Sequence, residues 1–426
     1  FFDALDCTRA RTGGGGQIVR CVMAHHQGMS LLAACNALCN DQVRRWFFAD
    51  PAMRAHATLL SERLPLGAPA LRRRAEEPAE KTRRRALPDY AAEGTGIDAE
   101  APRCTLLSNG TYCLAVSEAG QSFARWHTLS VCRRGTRSDP AAGPVVRLET
   151  EHFSGPLLPG TAERAQWRFT VRAAQFTTRH GDVTAVQTLT VPSRANGEVR
   201  ALTLSSPSGI EGTVRFVFEA VLAPWEDYVN HPAFARLGFQ SVLRRNALLL
   251  RHLGRGEKPE AWLCAACDRP GTWRAEGPVP GWLRAGRVEL SVPVHTAPDT
   301  PWRVRFALGV GAREDDAFTA AQRALVLPPA MAAALPEELA AQYGMTGAEL
   351  DDAMAAVSPL LFPAVAAGAA PGQLERPALW AQGISGDLPV WCAEAERGVL
   401  RQWALLRALG VACDLALRSG DGGDYQ

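Results

Sequence analysis

The sequence lacks several features that would place the protein in a specialised class. No stretch of its 426 residues reaches the roughly 18–20 consecutive apolar residues of a transmembrane helix, so we expect no membrane segment in this chain. Lysine is nearly absent: the chain has two, Lys81 and Lys258. We attribute the resulting excess of arginine to codon bias. Basic and acidic side chains number 46 and 44, and the formal charge of +2 offers no global field to attract nucleic acid.

The composition is that of a folded protein with more than one domain. Hydrophobic residues make up 47% and charged residues 21%, which excludes wholesale disorder and a disulfide-stapled miniprotein. A chain of 426 residues is long enough for two or three domains with cores of their own. The eleven cysteines are an odd number scattered through apolar runs. They predict buried free thiols in a reducing compartment, and hence a cytoplasmic location.

The N-terminal part has a helical pattern. Apolar residues at helical spacing between Gln17 and Phe48 predict one long helix or two abutting helices. Asp50 and Pro51 have the pattern of an N-cap followed by proline at the first helical position, and they predict a further helix that ends near Leu64. We therefore assign residues 1–66 to a helical domain.

A linker and a β-rich domain are predicted next. Residues 67–103 are rich in proline and charge, which indicates an exposed linker. From residue 104 to 327 the apolar pattern alternates with a period of two, and Asn-Gly pairs mark turns. Seven runs predict strands: Tyr112–Val116, Trp167–Val171, Val183–Val191, Val199–Leu204, Thr213–Leu222, Val288–Val294 and Trp302–Leu308. So many strands without intervening helices favour a large antiparallel sandwich.

The C-terminal part, residues 328–426, is predicted to be a helical region. The helical pattern begins at about Asp315, and it predicts four segments: Ala317–Leu325, Gly347–Leu361, Leu379–Asp387 and an amphipathic helix over Trp391–Leu417. The fold class predicted from the whole chain is thus multi-domain α+β, with an antiparallel β-sandwich flanked by helical segments.

The tract His25-His26-Gln27 is the most unusual chemical feature of the sequence. It places several hydrogen-bonding groups within one turn of an otherwise apolar helix, where leaving each of them unpaired would cost about 1–3 kcal/mol. A metal site is disfavoured, because adjacent helical positions point in different directions and no ligand follows one turn later. We expect either a carbohydrate-like ligand or a satisfied structural network at His25, His26 and Gln27.

A second candidate is the pair Arg125 and Trp126, which follows a turn at Gly120. An aromatic ring beside arginine could stack on a sugar ring and bond its hydroxyls, although a tryptophan of the sandwich core is an equally good interpretation. Cys264 and Cys267 have metal-type spacing but lack a second ligand pair, so no metal is predicted.

Catalytic residues are not identified by the sequence. Hydrolysis or transfer at a glycosidic bond needs two carboxyl groups about 5–9.5 Å apart. The available carboxylates are Glu149, Glu151, Glu226, Asp227 and Asp387, and sequence spacing does not reveal which of them would pair. No motif implies a cofactor: the run Gly13–Gly16 lacks the Lys-Ser/Thr of a nucleotide-binding loop.

Five motifs in order resemble the cyclic β-1,2-glucan synthases. They are Ala24-His25-His26-Gln27-Gly28-Met29-Ser30-Leu31-Leu32, Leu107-Ser108-Asn109-Gly110-Thr111-Tyr112, Gly120 through Arg125-Trp126, His231-Pro232-Ala233-Phe234, and Leu379-Trp380-Ala381-Gln382-Gly383-Ile384-Ser385-Gly386-Asp387-Leu388-Pro389. The resemblance covers nearly the whole chain. It implies the end of a glucoamylase-like (α/α)6 barrel in residues 1–66, a β-supersandwich of glycosyltransferase family 36 (glycoside hydrolase family 94) in 104–327, and a truncated helical region after it.

The resemblance also implies a function in glycosyl transfer or remodelling of β-glucans. His25, His26, Gln27, Arg125 and Trp126 would bind the β-glucan oligosaccharide or polysaccharide, a homodimer is implied, and the parent enzyme would lie at the cytoplasmic face of the inner membrane. Because the chain starts without methionine at Phe1, we expect it to be an internal part of a longer protein and to lack a complete catalytic site. The family usually shows an aromatic-Glu pair where this chain has Phe2-Asp3, a departure that concerns activity more than fold.

Two alternatives from other functional classes are kept. The chain could be a non-catalytic carbohydrate-binding module, with Arg125 and Trp126 as its platform. It could also be a purely structural spacer without a ligand, in which case an incomplete barrel would expose apolar surface and bind a hydrophobic dye.

Overall fold

Two separate groups of elements are seen in the computed structural model, which describes residues 4–6, 17–19, 22–55, 90–98, 102–136, 139, 142–230, 238–253, 260–275, 282–283, 286–362 and 388–418. The described residues up to Ala55 form one compact unit, and those from Tyr90 onward form another. Within these described ranges, no helix is long and apolar enough to cross a membrane.

The first unit contains a short strand pair and three helices. Strand β1 (Ala4–Asp6) pairs antiparallel with β2 (Gln17–Val19), and the helices are α1 (Ala24–Leu38), α2 (Gln42–Phe47) and α3 (Pro51–Ala55). The prediction of a helix from Gln17 is therefore wrong at its start, because the β-branched pair Ile18-Val19 favours an extended backbone. Of the two options for this segment, the structure has two helices.

The helix boundaries in this unit follow from capping groups. Asn40 and Asp41 both have positive φ angles, of 51° and 56°, which Asn and Asp tolerate better than other side chains, and they end α1. The side-chain oxygen Oδ1 of Asn36 then accepts hydrogen bonds from the backbone N–H groups of Val43 and Arg44 at the start of α2. The predicted N-cap before α3 is confirmed, because Asp50 Oδ1 accepts from the Ala52 N–H at 2.8 Å.

The second unit is built mainly of strands. After β1 and β2 the strands are β3 (Ala91–Thr95), β4 (Cys104–Ser108), β5 (Tyr112–Ser117), β6 (Ser122–Trp126), β7 (Leu129–Cys132), β8 (Val145–Thr150), β9 (Ser154–Pro156), β10 (Arg164–Thr170), β11 (Ala174–His180), β12 (Val183–Thr190), β13 (Gly197–Ser205), β14 (Ile210–Ala223), β15 (Phe239–Arg244), β16 (Ala247–His252), β17 (Ala261–Cys267), β18 (Thr272–Ala275), β19 (Trp282–Leu283), β20 (Arg287–Thr296), β21 (Trp302–Gly311), β22 (Val390–Glu394) and β23 (Asp414–Arg418). Its helices are α4 (Trp225–Asn230), α5 (Glu314–Val326), α6 (Leu335–Gln342), α7 (Gly347–Leu361) and α8 (Arg397–Ala408), with 3-10 turns at Pro159–Thr161 and Pro329–Met331.

Two large antiparallel sheets form the sandwich. In the part of the chain that the structure describes, the first sheet has ten strands in the order β19-β15-β16-β17-β21-β13-β12-β11-β10-β3. The second has nine, in the order β18-β20-β14-β7-β6-β5-β4, with β8 paired to β14 and β9 to β8. Five of the seven strand-like runs of the sequence lie within a strand and two extend one residue beyond it, so the predicted α+β fold with a large antiparallel sandwich is confirmed.

Two segments depart from the sequence-based expectations, and a third is not tested. The helix predicted over Trp391–Leu417 is wrong: β22 and β23 flank α8 and pair in parallel, and runs of five residues are too short to distinguish strand from helix by periodicity. Strand β3 lies inside the predicted linker 67–103. The sequence does not reveal it, because Ala-Ala-Glu-Gly-Thr carries no strong strand former apart from Thr95. The predicted segment Leu379–Asp387 lies outside the described residues, as do residues 56–89.

Both sheets bury their apolar inner faces in a common core. Phe216 on β14 and Phe306 on β21 come from different sheets, and their rings stack with centroids 5.0 Å apart. Both side chains are almost fully buried, as is Phe169 on β10. Burying an aromatic side chain of this size contributes about 1.5–3 kcal/mol, so such contacts provide most of the force that holds the sheets together.

A buried ion pair also links the sheets. The side chains of Glu198 and Arg200 on β13 are 1% and 5% exposed, and Arg200 Nε donates to Glu198 Oε1 at 2.7 Å. From the opposite sheet, the Tyr112 hydroxyl donates to Glu198 Oε2 at 2.8 Å, and Arg200 Nη2 donates to the Ser122 hydroxyl at 2.9 Å. Arg200 Nη1 also donates to the Pro144 carbonyl, at 2.8 Å. The network therefore satisfies both charges across the sandwich.

The substitution Arg200→Met should lower the free energy of unfolding by about 3–5 kcal/mol, because it leaves the Glu198 carboxylate buried and unpaired. Arg251→Met is the matched control. The Arg251 pair with Glu260 is partly exposed, and its loss should cost less than about 1 kcal/mol. Urea unfolding of the two variants measures the difference, and equal losses would contradict the role assigned to the buried pair.

Buried His180 makes the stability of the fold depend on pH. It is 3% exposed at the end of β11, its Nε2 lies 3.2 Å from the Thr178 hydroxyl, and its ring centroid lies 4.8 Å from that of Phe153. Burial lowers the pKa of His180 from 6.5, and Glu163 opposes the shift without reversing it. The folded protein therefore favours the neutral imidazole.

We expect the stability to fall in mildly acidic solution because of His180. As the pH drops below about 6.5, the unfolded chain takes up a proton at this position that the folded protein does not. The contribution is fully present above that pH and is lost progressively toward the lower folded-state pKa. His180→Gln should reduce the slope of unfolding free energy against pH in this window, whereas His295→Gln, at an exposed position on β20, should leave it unchanged. An unchanged slope in His180→Gln would refute the assignment.

Candidate functional site

The tract His25-His26-Gln27 lies in the first turn of α1. The rings of His25 and His26 meet edge to face with centroids 4.0 Å apart. His25 is exposed, whereas His26 and Gln27 are half-buried. Their backbone is held locally, because the Gln27 N–H donates to the Met23 carbonyl and the Ser30 hydroxyl donates to the His26 carbonyl at 2.9 Å. The structure thus presents three polar side chains on adjacent helical positions at the start of a helix.

Arg125 and Trp126 lie at the end of β6 and make contacts within the second unit. Arg125 Nη1 donates to the Gly410 carbonyl at 3.1 Å, which ties the sandwich to the turn after α8. Trp126 is half-buried against the main core, and its ring centroid lies 5.2 Å from that of His127. These contacts engage both side chains in the fold. Adjacent strand residues project to opposite faces, so the structure does not bring Arg125 and Trp126 onto one surface, whereas His25, His26 and Gln27 lie on adjacent helical positions in the other unit.

Of the five candidate catalytic carboxylates, Glu149 is paired, Glu151 is exposed and Asp227 is half-buried. Glu149 on β8 pairs with Arg215 at 2.6 Å, and Arg215 also bonds Glu289 at 2.7 Å, so the three form a charge ladder across neighbouring strands. Asp387 lies outside the described residues, and so does the side chain of Glu226. No pair of these carboxylates is identified as flanking a substrate.

The cysteines divide into buried and accessible groups. Cys264 and Cys267 on β17 are buried in different clusters, and burial raises the pKa of each thiol to about 12, so they behave as core side chains. The expectation of buried thiols is wrong for Cys35, which is half-buried, and for Cys39 and Cys392, which are exposed. Within the described ranges, no group of three or more His, Cys, Asp or Glu side chains could hold a metal ion.

Two clefts beside the edge strand β3 were not anticipated from the sequence. The larger has a volume of about 490 Å³, and polar side chains of β3, β10 and β11 line it: Glu93, Thr95, Gln166, Arg168, Gln175 and Thr177. The smaller, of about 340 Å³, shares Glu93 and is also lined by the ion pair of Arg103 and Asp351. In the sequence, Gln166 and Arg168 alternate with apolar neighbours. This alternation predicts a strand with one exposed face, but it does not distinguish a binding face from any other exposed face.

Trp126→Ala tests whether the indole is a core group. Because Trp126 packs against the core, its truncation should lower the unfolding free energy by about 2–4 kcal/mol. Trp126→Phe is the control: the indole N–H has no hydrogen-bond partner among the described residues, so a phenyl ring should retain most of the stability. Thermal or urea unfolding measures both, and a stable Trp126→Ala protein would argue against the core role.

The sequence resembles a known protein family and a known enzyme. Residues 89–276 match the family model described as glycosyl hydrolase 94, supersandwich domain. Over 265 residues the chain is 30% identical to the cyclic beta-(1,2)-glucan synthase NdvB of Rhizobium meliloti (strain 1021), an alignment that covers 58% of this chain and 9% of that protein. The chain therefore spans less than a tenth of the length of this relative.

Solved structures align with part of the chain at low TM-scores. A bacterial glucoamylase complexed with acarbose aligns with a TM-score of 0.39 and 6% identity, over 62% of this chain and 41% of that one. A galactose mutarotase related enzyme from Lactobacillus acidophilus aligns with a TM-score of 0.30 and 9% identity, over 49% of this chain and 97% of that one. On the sequence matches, residues 89–276 resemble the glycosyl hydrolase 94 supersandwich domain, and the resemblance of the chain to the cyclic β-1,2-glucan synthases is confirmed.

Proposed function

We propose that this chain is a portion of a carbohydrate-active enzyme that acts in glycosyl transfer or remodelling of β-glucans, with carbohydrate binding by the supersandwich. The observation that carries the proposal is the match of residues 89–276 to the glycosyl hydrolase 94 supersandwich domain. The 30% identity to a cyclic beta-(1,2)-glucan synthase supports β-glucan as the substrate class.

The contribution of this chain to such an enzyme is proposed to be binding. Glycosyl transfer requires two carboxyl groups on either side of the scissile bond. Among the described candidates, Glu149 is held by Arg215 at 2.6 Å. A carboxylate committed to an arginine is poorly placed to flank a sugar ring, which favours a role in holding the glucan over a role in bond cleavage.

The start of α1 is proposed to line a second sugar subsite. His25 offers an exposed imidazole, and half-buried His26 and Gln27 add ring nitrogens and an amide that can both donate and accept hydrogen bonds. Sugar hydroxyls are likewise donors and acceptors, so this group of side chains suits them. Residues 1–66 would then act as the end of an (α/α)6 barrel.

The proposal is tested by affinity electrophoresis in gels containing β-1,2-glucan. The wild-type chain should migrate more slowly in this gel than in a gel containing an α-linked dextrin. His26→Ala should reduce the retardation severalfold, whereas His152→Ala, at an exposed position, should not. Equal migration of the wild-type chain in the two gels would refute binding of β-glucan by this chain.

A structural spacer is the second candidate function, and the surface of α1 favours it. Met29, Leu31 and Leu38 are 65%, 71% and 86% exposed, so α1 carries apolar surface that a hydrophobic dye could bind. A spacer would bind a hydrophobic dye through this surface and would not be retarded by any glucan. The two functions therefore differ in the electrophoresis experiment.

A further inference from the structure

The outer face of the first sheet is divided into an apolar half and a polar half. Helix α5 covers β13, β16, β17 and β21, where Ala317, Ala321 and Ala324 pack against small strand residues. The packing is close: a Cβ atom added to Gly309 on β21 would lie 2.2 Å from the Ala321 nitrogen. Toward the other edge of the same sheet, β10 and β11 present exposed polar side chains. Four of these side chains lie in the floor of the 490 Å³ cleft: Gln166, Arg168, Gln175 and Thr177.

The strand register places the lining residues of this cleft on one face. Glu93 pairs with Arg168, and Arg168 pairs with Gln175, so these three form a row across β3, β10 and β11. Thr95, Gln166 and Thr177 form the adjacent row by the same pairing. Directly paired residues of antiparallel strands project to the same side of the sheet, about 4.5–5.5 Å apart. The cleft is thus floored by two parallel rows of polar groups.

Trp167 holds the edge of the cleft in position from the inner face. Its indole lies against Gly94 so closely that a Cβ atom there would be 2.6 Å from Cζ2, and its Nε1 donates to the Gly96 carbonyl at 3.1 Å. Both contacts fasten β3 to β10. They fix Glu93 and Thr95 opposite the side chains of β10, and Trp167 is therefore a positioning residue.

The side-chain chemistry of the cleft selects the class of ligand. Glu93 and Arg168 carry opposite charges, lie 3.9 Å apart and are 77% and 63% exposed, so the floor has no net formal charge. Glutamine amides and threonine hydroxyls supply the remaining donors and acceptors. A polyanion or an apolar helix finds no complement on such a surface, whereas a neutral polyol does. The volume lies within the range of about 300–1,000 Å³ that is usual for ligand sites.

We infer that this cleft is a binding site for a neutral β-linked gluco-oligosaccharide, which lies across β3, β10 and β11. This inference rests on the proposed function, since it is the carbohydrate class proposed there that the cleft would bind. Arg168 donates to ring or hydroxyl oxygens, Glu93 accepts from hydroxyls, and Gln166 and Gln175 do both. Trp167 also lines this cleft, but it is 8% exposed and packs against the core, so the binding is carried mainly by hydrogen bonds and is weak.

The test is a chemical-shift titration of the isotopically labelled full chain with short β-1,2-gluco-oligosaccharides. Backbone amides of β3, β10 and β11 should shift, and Arg168→Ala should raise the dissociation constant about tenfold, the usual effect of losing one charged hydrogen bond. Arg164→Ala is the matched control, because Arg164 is an exposed arginine on the same strand and face, about 13 Å away and outside the cleft. It should change the dissociation constant less than twofold.

The possible results separate this site from the proposed function. Binding that Arg168→Ala leaves intact, or shifts confined to other strands, would overturn the site while leaving β-glucan binding in place. Tighter binding of dextran sulfate than of the neutral sugar would overturn the assignment of ligand class. The absence of any shift with β-1,2-gluco-oligosaccharides would overturn both the site and carbohydrate binding by the supersandwich. The Arg168–Glu93 pair is exposed, so Arg168→Ala should fold normally, which circular dichroism can verify.

Discussion

The contact between the inner faces of the two sheets is the constraint on which the rest of the second unit depends. Phe216 and Phe306 stack across it, and every long strand must alternate so that its apolar side chains reach this interface. A shift of one residue in any strand would turn its apolar residues to solvent. The buried network of Arg200, Glu198 and Tyr112 adds a second requirement, because its charges are satisfied only when β13 and β5 face each other in this arrangement.

The same alternation that builds the core leaves the outward positions free for other purposes. On half of the first sheet these positions are small and apolar, and α5 covers them. On the other half they are glutamine, arginine, threonine and glutamate, which cannot be buried cheaply without partners. Strand alternation produces such a polar surface without any loss of core packing. The core-facing residues of the same strands hold its side chains in position. Trp167 shows the coupling: its buried ring fixes the strand that carries Glu93.

The sequence predicts those parts of the fold in which one physical signal dominates. Helix α7 has the predicted bounds, because Thr346 and Glu349 form a capping box at its start and its buried residues follow helical spacing. The long strands have a clean period of two. By contrast, β3, β22 and β23 are five residues each, and their pairing depends on strands or helices distant in sequence. No local pattern distinguishes such segments from loop or helix.

The candidate site is predicted less completely than the fold, for a related reason. His25, His26 and Gln27 are adjacent in sequence and therefore had to be neighbours in the structure. The lining of the larger cleft is drawn from three strands, and Glu93 and Gln175 are brought into one row only by the register of β3, β10 and β11. Arg125 illustrates the converse. Its sequence neighbourhood suggests a sugar platform, yet its guanidinium donates to Gly410, which lies 285 residues further along the chain.

Arginine side chains have two roles in this protein, and the role depends on whether the side chain is turned into the fold or faces solvent. Arg200 and Arg125 are turned into the fold, where they neutralise a carboxylate or satisfy a carbonyl that would otherwise lack a partner. Arg168 faces solvent beside a loosely held glutamate, and its donors remain accessible to an incoming hydroxyl. Because any ligand must compete with water for each hydrogen bond, an exposed guanidinium beside an exposed carboxylate would give the proposed gluco-oligosaccharide only modest affinity.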